Sequence, residues 1–180
     1  MTDPRTQLLE HLRTHSLRTD GPFTLASGLV ADWYMDARQT TFSGRGAGRV
    51  AAAVLEVLDP AAQAVGGMTM GADPIAIATA ALSEGRVDSF SIRKEAKDHG
   101  TGGRLVGPIG PGSRVAIVED TTTTGGAFVE AVEVAEAAGL EVIQAIVLFD
   151  RSGGTVEMKM SARSIPYVPL VTPSDLGVEL

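Results

Sequence analysis

The strongest chemical signal in the sequence is a run of acidic, hydroxyl and glycine residues at positions 119–126. Glu119 and Asp120 follow a β-branched apolar stretch, and four threonines and two glycines come next, ahead of an amphipathic helix. Backbone N–H groups at a helix start attract an anion, threonine hydroxyls add donors, and glycines let a phosphate approach the backbone. Carboxylates instead bind sugar hydroxyls or a hydrated magnesium ion. Phosphate on one side and a diol on the other indicate a ribose 5-phosphate.

This run has a simpler interpretation, an ordinary solvated turn ahead of a capped helix. The simpler interpretation is disfavoured because the acidic pair and the threonines occur together at the end of a predicted buried strand. A Walker phosphate loop is excluded, since the sequence contains neither Gly-Lys-Ser nor Gly-Lys-Thr. The glycines of residues 44–48 do not follow a predicted strand, so they give no signal for dinucleotide binding.

A second signal is a basic segment with glycines at residues 92–104. The chain has only three lysines, and two of them, Lys94 and Lys97, lie here with Arg93 and His99. A basic segment that leads into glycines after a predicted strand is typical of a mobile lid over a polyanion, whose charge would neutralise pyrophosphate as it leaves. A solvated surface loop explains this segment equally well when it is taken alone.

Alternating strands and helices are predicted to position both segments. Strands are expected at residues 64–67, 89–93, 114–119 and 142–149, with a last, proline-marked edge strand at 165–171, and helices at 50–58, 73–82 and 125–139. This alternation indicates an α/β domain with a mostly parallel sheet and helices on both faces. Ligands bind beyond the carboxyl ends of such strands. The expected binding loops follow Val65, Ile92, Val118 and Leu148.

Composition and charge narrow the classes of partner. The 180 residues suffice for one domain, and the net charge of −7 argues against a general nucleic-acid surface. No apolar run approaches the roughly 18 residues of a membrane span. The chain has no cysteine, which excludes disulfides and thiolate metal sites. The N-terminus lacks the pattern of a signal peptide. A cytoplasmic protein without nucleic-acid or membrane partners is therefore expected.

Two segments resemble motifs of a known enzyme family. The strand, acidic pair and Thr/Gly loop of residues 115–126 resemble the phosphoribosyl pyrophosphate (PRPP) motif of type I phosphoribosyltransferases. Residues 93–100 are similar to the catalytic loop of orotate phosphoribosyltransferases, Arg-Lys-x-x-Lys-x-His-Gly, and match every specified position. The resemblance covers residues 23–151 and looks closest to short actinobacterial-type enzymes. It implies a mostly parallel central sheet flanked by helices, in one domain of residues 1–180, with a small hood from residues 1–40 and 155–180.

The resemblance also implies roles at the ribose phosphate. Glu119 and Asp120 would hold the ribose hydroxyls. The 5-phosphate would be wrapped by Thr121, Thr122, Thr123, Thr124, Gly125, Gly126 and Ala127. The cofactor Mg²⁺ would enter with PRPP, and Asp120 is the candidate protein ligand for it.

The resemblance also implies roles for the lid and for the part of the site that would bind the base. Arg93, Lys94, Lys97 and His99 would contact PRPP, and Lys97 and His99 would act on pyrophosphate as catalytic residues. In this family the lid reaches the neighbouring subunit's site, which implies a homodimer. Residues 23–28 and 33–38 resemble the family's base-side segment, although a β-turn followed by core aromatics explains them better when they are taken alone.

Arg151 is the candidate for orotate recognition, with Thr123 as a second contact to the base. Phe149-Asp150-Arg151 resembles the family's Asp-Arg pair, whose arginine meets orotate, and an arginine fork suits a carboxylate. An arginine at a strand end is otherwise most often a surface residue. Some family members carry lysines where this chain has Ala26 and near Gly71. Backbone N–H groups would have to replace them.

The expected activity is the transfer of ribose 5-phosphate from PRPP to orotate, giving orotidine 5′-phosphate and pyrophosphate in the de novo synthesis of UMP. A purine phosphoribosyltransferase is one alternative, which Arg151 and the lid pattern disfavour. A non-catalytic PRPP-binding regulator is another. It is disfavoured because the sequence shows no basic helix and no spare domain for nucleic acid.

Overall fold

The computed structural model of the chain describes residues 3–24, 30–97 and 103–179. Its helices are α1 (Pro4–His15), α2 (Arg38–Thr41), α3 (Gly44–Val57), α4 (Ala72–Leu82), α5 (Gly126–Ala137), α6 (Thr155–Ser161) and α7 (Pro173–Leu176). Its strands are β1 (Leu17–Arg18), β2 (Phe23–Thr24), β3 (Val30–Ala31), β4 (Tyr34–Met35), β5 (Ala64–Met68), β6 (Asp88–Lys97), β7 (Gly103–Val106), β8 (Arg114–Thr122), β9 (Glu141–Asp150) and β10 (Tyr167–Val171). No helix in this described part is long and apolar enough to cross a membrane.

The described strands form a central sheet in the order β10-β9-β8-β5-β6-β7. Each neighbouring pair from β10 to β6 is parallel, and β7 alone runs antiparallel, beside β6. The predicted mostly parallel sheet and the edge position of the last strand are therefore confirmed. Two short antiparallel pairs, β1 with β4 and β2 with β3, lie in the N-terminal part.

The central sheet is buried on both faces because its middle strands contain continuous buried apolar runs, at residues 115–118 of β8 and 145–149 of β9. In β8, Ala116 and Val118 join one core with α1, α3 and α4, whereas Val115 and Ile117 join another with α5 and α6. Side chains of a strand alternate between the two faces, so a continuous apolar run supplies both cores. This packing fixes the carboxyl ends of β5, β6, β8 and β9 at one edge.

Two strands, β8 and β6, extend well beyond the ends that the sequence predicts. The predicted end of β8 at Glu119 is wrong, because pairing with β9 continues to Thr122 opposite Asp150. The predicted end of β6 at Arg93 is also wrong, because β7 pairs with it as far as Lys97. Both extensions depend on partners distant in sequence. The acidic pair consequently lies within a strand, and the basic segment begins as one arm of a hairpin.

Candidate active site

Glu119 and Asp120 lie side by side near the carboxyl end of β8, the first buried and the second half-buried. Glu119 Oε1 accepts the backbone N–H of Asp120 at 3.1 Å, and Asp120 Oδ1 accepts that of Thr121 at 2.7 Å. Gly71, just before α4, comes very close to them. A Cβ atom at this position would be 2.6 Å from Glu119 Oε1 and 2.8 Å from Asp120 Oδ1. The acidic pair therefore lies directly against the backbone of Gly71, with no room for a side chain between them.

The environment of Glu119 favours its protonated form. Burial raises the pKa of Glu119 to about 8, and the negative charges of Asp120 and then Asp73 add to the rise. A protonated carboxyl donates a hydrogen bond as well as accepting them. At neutral pH this side chain can therefore both donate a hydrogen bond to a sugar hydroxyl and accept one from it.

Glu119 should make the free protein less stable as the pH rises. Because its pKa is about 8 in the folded protein against 4.5 as the ordinary value, the folded state alone keeps the proton between these values. Stability therefore falls with pH across that window. Glu119→Gln should raise Tm relative to the unmodified protein by about 5 °C at pH 8.5 and much less at pH 5, since ~1 kcal/mol corresponds to roughly 2–4 °C in a domain of this size.

The measurement is a set of thermal melts in matched buffers without substrates. The control is Glu141→Gln, which removes an exposed carboxylate at the other end of the sheet. Its Tm difference should not depend on pH in this way. A Glu119→Gln difference that is constant from pH 5 to 8.5 would contradict the raised pKa.

The loop between β8 and α5 has the backbone of an anion site. Thr123 and Thr124 are exposed, and Gly125, with φ of +73°, leads into the first turn of α5. A Cβ atom at Gly125 would be 2.5 Å from Val156 Cγ2, so both the conformation and the space require glycine. The first N–H groups of α5 have no partner within the helix. Lys159, on α6, adds a cation, since its ammonium donates to the Thr124 carbonyl at 2.6 Å.

The basic segment forms the outer hairpin of the sheet. Arg93, Lys94 and Lys97 all lie in β6, and Lys97 pairs with Gly103 of β7. Arg93 is half-buried and Lys94 is exposed. His99 and the side chain of Lys97 lie outside the described part of the structure. The hairpin places the described basic residues next to β5, whose end leads into the loop before α4.

Arg104, on β7, connects this hairpin to two neighbouring elements. Its Nε donates to the Arg93 carbonyl at 2.7 Å. Its Nη2 lies 2.6 Å from a carboxylate oxygen of Glu130 on α5 and 3.7 Å from the sulfur of Met68 at the end of β5. The hairpin strands are thus tied to α5, the helix that follows the Thr/Gly loop. No pattern in the sequence predicted this contact, because it joins three separate elements.

Arg151 directly follows β9, and its backbone N–H donates to the carbonyl of Thr122 at 3.0 Å. The guanidinium carbon lies 4.6 Å from the centroid of the Trp33 ring, a cation–π contact. Within residues 3–24, 30–97 and 103–179, several other arginines form ion pairs with carboxylates, and Arg151 does not. A half-buried guanidinium in this setting is suited to a ligand with a carboxylate.

Comparison with known proteins places the chain in a family. It is 41% identical over 183 aligned residues to an orotate phosphoribosyltransferase of Streptomyces coelicolor. The alignment covers 99% of this chain and 100% of that protein. The chain belongs to the orotate phosphoribosyltransferase family. No protein-family model matches the sequence.

Solved structures of orotate phosphoribosyltransferases share this fold. The Mycobacterium tuberculosis enzyme in complex with Fe(III) dicitrate has a TM-score of 0.84 at 34% identity, covering 97% of this chain and 99% of that one. The same enzyme in complex with PRPP has a TM-score of 0.81 at 31% identity, with the same coverage. The predicted α/β fold of a type I phosphoribosyltransferase is confirmed.

The orotate phosphoribosyltransferase motifs of the sequence meet at one edge of the sheet. The acidic pair, the exposed Thr123 and Thr124, and Arg151 all lie at the ends of β8 and β9. Thr122 is buried within β8, so its side chain is turned away from solvent. Ala26 lies outside the described residues. The sequence did not predict the contact of Trp33 with Arg151 or the position of Lys159, because both depend on how distant parts of the fold pack together.

Proposed function

We propose that this chain transfers the ribose 5-phosphate of PRPP to orotate, giving orotidine 5′-phosphate and pyrophosphate in de novo UMP synthesis. The observation that carries the proposal is the hydrogen bond from the Arg151 backbone N–H to the Thr122 carbonyl, since it joins the arginine proposed for orotate to the Thr/Gly loop proposed for the ribose phosphate. Family membership and the PRPP complex of the Mycobacterium tuberculosis relative support the same two substrates.

PRPP would be held between the acidic pair and the start of α5. Glu119 and Asp120 bind the ribose hydroxyls, and the 5-phosphate takes donors from the loop. The loop donors are the side chains of Thr121, Thr123 and Thr124 and the backbone of Gly125, Gly126 and Ala127. Thr122 is buried, so its contribution comes through its backbone. The glycine conformation of the loop and the cation of Lys159 support this arrangement.

The donors near the acidic pair fit a magnesium ion that arrives with PRPP. Asp120 is half-buried and presents the hard oxygen ligands that magnesium prefers. In the described part of the chain, no group of three or more His, Cys, Asp or Glu side chains could hold a metal. The substrate would therefore supply most of the ligands, with Asp120 as the candidate from the protein. When bound, the ion neutralises charge on the pyrophosphate.

The hairpin of β6 and β7 would serve as the lid. Arg93, Lys94, Lys97 and His99 contact PRPP, and Lys97 and His99 act on the leaving pyrophosphate. The hairpin is the outermost part of the central sheet, which supports its reaching a neighbouring subunit in a homodimer. A cytoplasmic location stays a prediction.

Orotate would bind through Arg151 and Thr123, beneath a hood from residues 1–40 and 155–180. The two hood segments are in contact, since Trp33 Nε1 donates to the Glu179 carbonyl at 2.8 Å. The anionic ring nitrogen of orotate attacks C1 of the ribose while the C1–pyrophosphate bond breaks, and the leaving group keeps that electron pair. Lys97 stabilises the negative charge that develops on the pyrophosphate, and His99 protonates the pyrophosphate. Positioning and electrostatics carry this reaction, and no covalent enzyme nucleophile is needed.

The deciding experiment is a turnover assay with PRPP, magnesium and either orotate, adenine, guanine or hypoxanthine. Orotate-dependent release of pyrophosphate with formation of orotidine 5′-phosphate is the expected result. Turnover of a purine in preference to orotate would identify a purine phosphoribosyltransferase. PRPP binding without turnover of any base would identify a regulator.

The acidic pair should be needed for PRPP use rather than for folding. Glu119→Gln combined with Asp120→Asn should lower kcat/KM for PRPP by about 10²-fold or more, because a hydrogen bond to the Asp120 carboxylate contributes about 1.5–3 kcal/mol and the loss of the Glu119 carboxyl adds to it. Steady-state kinetics and a thermal melt would measure both properties. The matched control is Glu141→Gln with Asp88→Asn, two exposed acids at the opposite edge of the sheet. A double variant that unfolds but has unchanged kinetics per folded molecule would make the pair structural.

A further inference from the structure

Trp33 is the ring on which the Arg151 side chain rests. The guanidinium carbon is 4.6 Å from the ring centroid, and the ring itself is only 8% exposed. An arginine side chain loses much rotamer freedom when it is held in one geometry. A fixed aromatic face reduces that loss on ligand binding, because the fork is already oriented. The position of Trp33 thereby sets the direction of the Arg151 fork.

The Trp33 ring is held on two further sides. Phe149, the second residue before Arg151, packs edge-on against it at 6.0 Å between centroids and an interplanar angle of 89°. The indole Nε1 donates to the backbone carbonyl of Glu179 at 2.8 Å. Glu179 belongs to the segment that follows α7. The C-terminal end of the described chain therefore takes part in fixing the ring.

Contacts away from Trp33 and Arg151 hold α7 and the segment that follows it. The Arg5 guanidinium pairs with Asp175 on α7 at 2.7 Å, and the Val178 N–H donates to the Pro173 carbonyl at 3.1 Å. On its other side lies a hollow of about 360 Å³, lined by residues that include Asp150, Gly153 and Glu179. Val178 packs against the hydrophobic core, whereas Glu179 borders this open space. Its hydrogen bond to Trp33 is correspondingly important.

We propose that Trp33 is a positioning residue for orotate: its ring face holds the Arg151 fork, and the segment Gly177–Glu179 holds the ring. The proposal rests on the proposed function, in which Arg151 binds the orotate carboxylate. In the proposed function PRPP binds at the acidic pair and the Thr/Gly loop, whereas the Trp33 contacts described above are with Phe149, Arg151 and Glu179. Loss of the ring should therefore affect orotate and leave PRPP nearly unaffected.

The first test compares Trp33→Leu with Trp33→Phe in steady-state kinetics. Trp33→Leu should raise KM for orotate about tenfold, since a partly desolvated cation–π contact contributes on the order of a factor of ten. KM for PRPP should change less than about twofold, and kcat should fall little. Trp33→Phe keeps a ring face and should recover most of the loss. An equal rise in both KM values, or no recovery by phenylalanine, would overturn the proposal.

The second test is a double-mutant cycle with Arg151→Met. If Trp33 acts through Arg151, Trp33→Leu should have almost no further effect on KM for orotate once the guanidinium is gone. An undiminished effect of Trp33→Leu in that background would overturn the proposal. This cycle also separates positioning from general destabilisation, which would persist without Arg151.

The third test removes the support of the ring. A chain ending at Gly177 and the Trp33→Phe variant both lose the hydrogen bond between the indole and Glu179. Each should raise KM for orotate by about two- to fivefold, and truncating the Trp33→Phe variant should add nothing, because the same bond is already lost. Full additivity would overturn the role of the C-terminal segment, and this test stands even if Trp33→Leu fails to fold. Absence of orotate turnover in the unmodified protein would instead overturn the proposed function, and the present proposal with it.

Discussion

Replacing Lys97 by alanine should lower kcat by about 10²–10³-fold, the loss seen when one donor to a transition-state anion is removed. Its ammonium is proposed to meet charge that appears on pyrophosphate only as the C1–O bond breaks. The loss should therefore be in kcat rather than in KM for orotate. Glu95→Ala, an exposed neighbour on the same strand, is the matched control and should retain most activity. A rise in KM for orotate with unchanged kcat would contradict this role.

Mixing two inactive variants tests whether the lid crosses the subunit boundary. Lys97→Ala subunits have an intact acidic pair, and Asp120→Asn subunits have an intact lid. If each lid serves the neighbouring site, a mixed dimer recovers up to about one working site. Exchange of subunits can be verified with differently tagged chains. If mixed dimers form and no activity returns, each lid serves its own subunit.

Orotate should be used at least about 10⁴-fold better than uracil, measured as kcat/KM. Uracil lacks the carboxylate, so it would leave the desolvated Arg151 fork without its partner, and sites built for a polar group reject analogues that lack it to about this extent. Comparable use of the two bases would remove the basis for assigning Arg151 to orotate.

Arg151→Met should remove that discrimination. The variant should lose about 10³-fold or more in kcat/KM for orotate while its slow use of uracil changes little, because only orotate offers the charged partner. The matched control is Arg163→Met, since Arg163 is paired with Glu133 and Glu136 on α5. That variant should keep the preference for orotate. A parallel loss with both bases in Arg151→Met would indicate a structural role for the arginine.

The sequence predicts the order of the elements around the acidic pair well because the signal for them is local. An apolar strand, the acidic pair, the threonines and a helix start follow one another without interruption, and the structure has them in that order. The burial of Phe128, Val132 and Ala135 on α5 agrees with the helical period. Local patterns of this kind need no knowledge of distant partners.

The features that the sequence did not predict depend on contacts between distant residues. The length of β8 follows from pairing with β9, and the hairpin follows from the pairing of β6 with β7. Trp33 reaches Arg151 only after the N-terminal segment folds over the sheet. From the sequence alone, Trp33 is adequately explained as a core aromatic residue and Arg151 as a surface arginine. No local pattern in the sequence links Lys159 to Thr124 either, because only the packing of α6 brings the two residues together.

The bare backbone at Gly71 has a consequence for inhibitor selectivity. The lysine that the family resemblance leads one to expect near this position is absent, since the chain has no lysine before Lys94, and a side chain at Gly71 itself would require the carboxylates of Glu119 and Asp120 to move. Pyrophosphate mimics that derive affinity from such a lysine should bind this chain more weakly than those relatives. Compounds that derive their affinity from backbone N–H groups instead should not show this disadvantage. One missing side chain thus offers a way to distinguish closely related enzymes with a small molecule.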